Sequence, residues 1–214
     1  MSVTTHLANN VDLSFSLYRN RDRRFELRAL FAVLVLTNLG LIFGNIPASN
    51  LVYHPASVTL GEWWRIFSWP FVHVSRYHLL LDGAAFLLLY HCIETARLGQ
   101  RLTYLFATIA GSLWLPLLIC PEIYQIGLCG LSGPAHGLLA ICAMEMCQTT
   151  RNKAIGALLL LGLFVKVCWE LLTGVAFLNQ LHLGYIGIPI VSTHAGGVIA
   201  GLVGWVSRVI ASTA

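Results

Sequence analysis

The sequence predicts an all-α, polytopic membrane protein built as a six-transmembrane-helix bundle, and three observations predict it. First, 57% of its 214 residues are hydrophobic and only 10% are charged, whereas a soluble domain carries about a quarter charged residues. Second, its mean hydropathy of +0.75 is concentrated in runs that match bilayer thickness. A span needs roughly 20 apolar residues, so six would use about 120 and leave room only for short connections. Third, the basic residues alternate between connections. The composition excludes a disordered chain, a nucleic-acid-binding domain and a disulfide-stapled secreted module.

Residues 1–26 form a polar, basic tail, and nothing in the first 28 residues has the apolar run of a cleavable signal peptide. Residues 27–214 form the membrane domain. The expected spans run from Leu27 to Pro47, His78 to Ala96, Leu102 to Ile119, Ser132 to Cys147, Ala154 to Leu178, and His194 to Ala211. The fourth is short, which calls for tilt or for ends below the headgroups. Between the first two, Ala48 to Tyr77 carries Trp63, Trp64, Phe67, Trp69, Phe71 and Tyr77. Such aromatics favour the membrane interface, so the segment is expected to lie in the outer headgroup layer or to wall off a site inside the bundle.

Arg19, Arg21, Arg23, Arg24, Arg28, Arg97, Arg101, Arg151, Lys153 and Arg208 fall on one side of these spans, and only Arg65 and Arg76 on the other. Both termini are therefore expected to be cytoplasmic. The six cysteines are isolated, with no CxxC spacing, so no metal is expected.

With that orientation, spans two, four and six start on the outer side, and the polar residues cluster at those starts: His78 and Asp82, Ser132 and His136, and His194. Ionisable groups within spans are expensive, so each is a functional candidate. Ser132 sits between Gly130 and Gly133, where the backbone can turn sharply. A serine at a helix start is ordinarily an N-cap, yet the free N–H groups there also suit an oxyanion. His194 shares a helical face with Gly197 and Gly201, while Gly133 and Gly137 offer a matching small surface on span four. Close packing of the two spans would bring His194 to the Ser132 hydroxyl, a pair suited to acyl transfer. The alternative is a histidine merely bonded to a carbonyl. Asp82, four residues after His78, can donate to an oxyanion if protonated, or can pair with and orient a histidine. Lys166 and Glu170, also four apart, are expected to neutralise each other, and Glu145 to reach the inner interface.

These residues resemble the rhomboid family of intramembrane serine proteases over roughly Gly61 to Gly204. Trp63-Trp64-Arg65 precedes Phe71-Val72-His73-Val74-Ser75 and His78-Leu79-Leu80-Leu81-Asp82; Glu94 is followed by Leu98-Gly99; Gly130-Leu131-Ser132-Gly133 and His194 with Gly197 and Gly201 complete the set. The resemblance implies a serine endopeptidase with Ser132 as nucleophile and His194 as base, a dyad without a third acid. It also implies oxyanion binding by His78, the side chain at Asp82 and the Ser132 N–H. Substrates would be transmembrane proteins, cut near the outer face after lateral access beside span five, beneath a cap at about Asn179 to Thr193. No cofactor and no nucleic acid would be required. The expected location is a bacterial inner (cell) membrane, with the lipid bilayer as the surrounding medium.

Two residues depart from the family pattern. Asp82 stands where the family usually has Asn, and His136 where it usually has an aromatic residue, often Tyr, stacked on the histidine. His136 can stack likewise or bond to His194. Both departures suggest a divergent branch, with the rhombosortase-like group, which processes C-terminal sorting tags of exported proteins, as candidate. Two rival functions are a pseudoprotease scaffold that binds membrane clients, disfavoured because Ser132 and His194 are both present, and a membrane haem protein using His78 and His91, for which nothing matches His91 on another span.

Overall fold

The computed structural model describes residues 23–95 and 97–213. Residues 1–22 of the expected tail lie outside the described residues, and residues 23–26 already belong to the first helix. Among the described residues the regular structure is helical, apart from one isolated antiparallel bridge between Tyr53 and Leu128. The main elements are α1 (residues 23–37), α2 (Arg76–Cys92), α3 (Leu98–Ile119), α4 (Ser132–Cys147), α5 (Lys153–Thr173) and α6 (Ser192–Thr213). Each expected span overlaps one of them. Three, α3, α5 and α6, are long and apolar enough to cross a membrane.

The first apolar run is interrupted at Asn38, after which a short helix, Leu39–Gly44, continues it. Asn38 is buried because its side chain is fully employed. Its Nδ2 donates to the carbonyls of Leu34 at 2.8 Å and Phe71 at 2.7 Å, and its Oδ1 accepts from the His73 N–H at 3.1 Å. One polar side chain thus fixes the segment that leads into α2. Ser75 caps α2, its Oγ accepting from the His78 N–H at 3.0 Å.

The aromatic connection divides in two. Trp63, Trp64 and Phe67 are exposed, as an interfacial segment requires, whereas Trp69 is buried in the core. The segment is held from inside by Arg65, which donates to Glu62 at 2.5 Å and to the carbonyls of Ser49 and Val52 at 2.8 and 2.6 Å.

At the centre lies α4, with ten of its 16 residues buried. It packs against α2, α3, α5 and α6. The closest approach is glycine against glycine. A Cβ on Gly197 would sit 2.1 Å from the Gly133 carbonyl oxygen, and one on Gly201 2.5 Å from that of Gly137. Gly196 likewise abuts the Gly111 carbonyl of α3 at 2.1 Å. Backbones this close gain dispersion along their whole length, which substitutes for the hydrophobic effect where the solvent is lipid. By contrast α5 is mostly exposed, showing Leu158, Leu161, Phe164, Trp169 and Leu172 outward.

Several sequence expectations need correction. The fifth span ends at Thr173, because Gly174 takes the left-handed conformation (φ 69°) and its N–H returns to the Glu170 carbonyl. The second ends at Cys92. Glu145 is turned into the bundle: it is 4% exposed, accepts from the Glu94 N–H at 2.7 Å and lies 3.5 Å from Arg208. Arg101, counted among the loop charges, is buried against Glu26, with contacts of 2.9 and 2.5 Å, and Tyr90 donates to the same carboxylate at 2.8 Å.

Candidate active site

Ser132 is the first helical residue of α4, not its N-cap; Leu131 holds that position, and no side chain caps the helix. The Ser132 hydroxyl is therefore not spent on the role that most serines at helix starts perform. The turn before it requires glycine. Gly130 has φ 103°, and a Cβ there would lie 3.0 Å from both the Asp82 carboxylate and the His78 ring. Gly133 is equally constrained, since a Cβ would meet Ser112 Oγ at 2.6 Å and the Thr193 carbonyl at 2.8 Å. Ser132 and His194 line one cavity of about 510 Å³, together with His78, Asp82, His136 and Glu170.

Asp82 reaches from α2 across to the turn before Ser132. Its Oδ2 accepts from the Leu131 N–H at 3.1 Å and lies 3.0 Å from His78 Nε2. Of the two roles open from the sequence, pairing with a histidine is the one this geometry displays. His78 Nδ1 is buried and has no hydrogen-bond partner among the described residues. Behind it His73 packs edge-on at 4.9 Å, with Nε2 3.8 Å from Asp82. Burial pushes the His73 imidazole down to about 4, against a smaller upward pull from Asp82, so His73 is a neutral wall to the pair.

His136 stacks on His194, with ring centroids 4.1 Å apart and planes 20° apart. Its Nδ1 lies 2.6 Å from the Ser132 carbonyl oxygen. A carbonyl only accepts, so Nδ1 carries the proton. The ring thus ties the serine backbone to the histidine by stacking, without a ring-to-ring hydrogen bond.

One contact was not anticipated. Glu170 Oε2 lies 2.8 Å from His194 Nδ1, and the residue is 1% exposed. Its Oε1 accepts from Lys166 Nζ at 2.5 Å and from the Phe177 N–H at 3.0 Å. The expected Lys166–Glu170 pair is present, but it is turned toward the histidine. The available signal was the rule that charges within a span mark function; the i, i+4 spacing obscured it by offering a self-sufficient pair. Residues 174–191, which join α5 to α6, line part of the cavity through Phe177, His182, Tyr185 and Ile188. The Leu183 N–H donates to the Tyr77 hydroxyl at 3.3 Å, and Ser75 Oγ donates to the Tyr185 carbonyl.

The long apolar helices of the bundle, with serine and histidine lining one cavity among them, point to an integral membrane protein. The family profile of the Rhomboid domain matches residues 60–208, and the chain belongs to the rhomboid family, whose members are generally serine intramembrane proteases. No curated protein is significantly similar to the chain.

Proposed function

We propose that this protein is an intramembrane serine endopeptidase that cuts transmembrane segments near the outer face of the membrane. The observation that carries this reading is the shared cavity. Ser132 and His194 open onto it from two helices whose backbones are in glycine contact at that level. In the proposed reaction Ser132 Oγ bonds to the scissile carbonyl carbon while its proton passes to His194 Nε2. The Ser132 N–H, at the first turn of α4 where helix geometry supplies no partner, and His78, paired with Asp82, stabilise the oxyanion. His194 then gives the proton to the leaving amine, and water repeats the sequence on the acyl-enzyme.

All six helices are taken to cross the bilayer, with both termini cytoplasmic and the cavity toward the outer side. A bacterial inner membrane suits that arrangement. Asp82 and His136 set the site apart from the usual pattern and support extending the substrate class to C-terminal sorting tags of exported proteins. A fluorophosphonate probe should label the wild type and fail on Ser132→Ala, and His194→Ala should lose proteolysis of a co-expressed membrane substrate. Labelling that survives Ser132→Ala, or cleavage that survives His194→Ala, overturns the reading. A wild type that neither labels nor cleaves identifies the protein as a client-binding scaffold.

A further inference from the structure

The acid on His194 carries a role that the resemblance does not supply. A carboxylate at 2.8 Å from Nδ1 can only accept, so Nδ1 bears the proton and Nε2 is left as the lone-pair nitrogen. That is the tautomer a general base for Ser132 requires. Glu170 cannot swing away freely, because its other oxygen is held by the Lys166 ammonium and the Phe177 N–H. His194 is fixed on its flat side as well, by the stacked His136 ring. The histidine is thereby oriented by three elements: α4 through His136, α5 through Glu170 and Lys166, and its own helix α6.

Resting on the protease reading of Ser132 and His194, we propose that Glu170 is a positioning carboxylate that completes a serine–histidine–glutamate triad, with Lys166 as its counter-charge. During attack the serine proton moves to Nε2, and the Nδ1 proton stays on the ring. The imidazolium so formed faces the Glu170 carboxylate, which stabilises it. Lys166 Nζ lies 3.3 Å from Nδ1 and faces that positive charge. The remaining groups facing this pair are His136 on the ring face and, across the cavity, Asp82 and His78.

Opposite charges make opposite predictions, which a structural brace does not. Glu170→Gln offers an amide that can donate to Nδ1 and select the wrong tautomer. Its kcat on a peptide substrate in detergent should fall about 10²–10⁴-fold with little change in KM. The low-pH limb of its profile for kcat/KM, which the general base sets, should move to lower pH. Lys166→Met, which removes one of the two groups that hold Glu170, should lower kcat less than Glu170→Gln does and move the same limb to higher pH. The proposal is overturned if Glu170→Gln stays within about threefold of wild type, if neither variant moves the limb, or if both move it the same way. If Glu170→Gln does not fold, the Lys166→Met profile decides alone. A spectroscopic arm needs no turnover: a far-downfield Nδ1 proton resonance of His194 should be present in Ser132→Ala and absent from Glu170→Gln carrying the same change. Its persistence also overturns the proposal. Failure of the protease reading itself shows separately, as wild-type enzyme that does not react with fluorophosphonate.

Discussion

Asp82 shows how one residue can be legible as important yet illegible in its role. Its type and position mark it from the sequence as an intramembrane acid beside His78. Its partner across the bundle, the Leu131 N–H, is 49 residues away, and no local pattern points to it. The bond matters because it orients the turn that presents Ser132. Asp82→Asn retains a carbonyl oxygen for Leu131 and should lose little stability. Asp82→Ala leaves a buried N–H unsatisfied and should cost about 1–3 kcal/mol. Thermal unfolding of the two purified variants in one detergent checks this, with equal losses counting against the brace. Glu170 was harder still to read, since its i, i+4 lysine accounts for it locally. His194 is 24 residues further along the chain, and only the packing of α5 beside α6 brings the two together.

At the scale of elements, the sequence was most readable where spacing alone decides geometry. Gly133, Gly137, Gly197 and Gly201 recur every four residues, so each pair lies on one helical face. Helix ends were less readable, because caps depend on single conformations. Gly174 stops α5 four residues before its apolar run does. Ser132 looked like a cap and is not one, since the turn is made by Gly130 and anchored by Asp82. The glycine contact makes a sharp prediction. Gly197→Val places methyl groups where a Cβ alone would be 2.1 Å from a backbone oxygen. The helices must part, at a cost of about 1–3 kcal/mol or more, and proteolysis should be lost. Gly204→Val on the same helix, where the nearest atom is 3.5 Å away, should be tolerated. Unfolding in graded denaturing detergent and cleavage of a membrane substrate measure both.

Across the whole molecule, the two ends of the bundle divide the labour. One end holds the cavity; the other holds a buried charge cluster in which Glu26 of α1 joins Arg101 of α3 and Tyr90 of α2. Composition pointed to the membrane and the basic residues to an expected orientation; Arg101, counted there among the charges of a connection, is 1% exposed. Charge counting cannot see pairing between residues 75 apart in sequence. Removing Glu26 leaves the buried Arg101 guanidinium without its carboxylate, at a cost of about 3–5 kcal/mol. Glu26→Ala should therefore lower the unfolding temperature sharply, while fluorophosphonate labelling of Ser132 below that temperature stays near wild type. Labelling lost well below the transition would show that the two ends are not independent.

The glycine contact between α4 and α6 also bears on how such a protein can vary over generations. Where two backbones touch, there is no side chain to exchange for one slightly larger or smaller. The separation of serine from histidine is then closed to gradual drift, and a change there must be taken as one large step. The outward face of α5 has no such restriction, because its leucines and aromatics are exposed. Sequence change can accumulate on that side while the separation of the two helices stays fixed on the other.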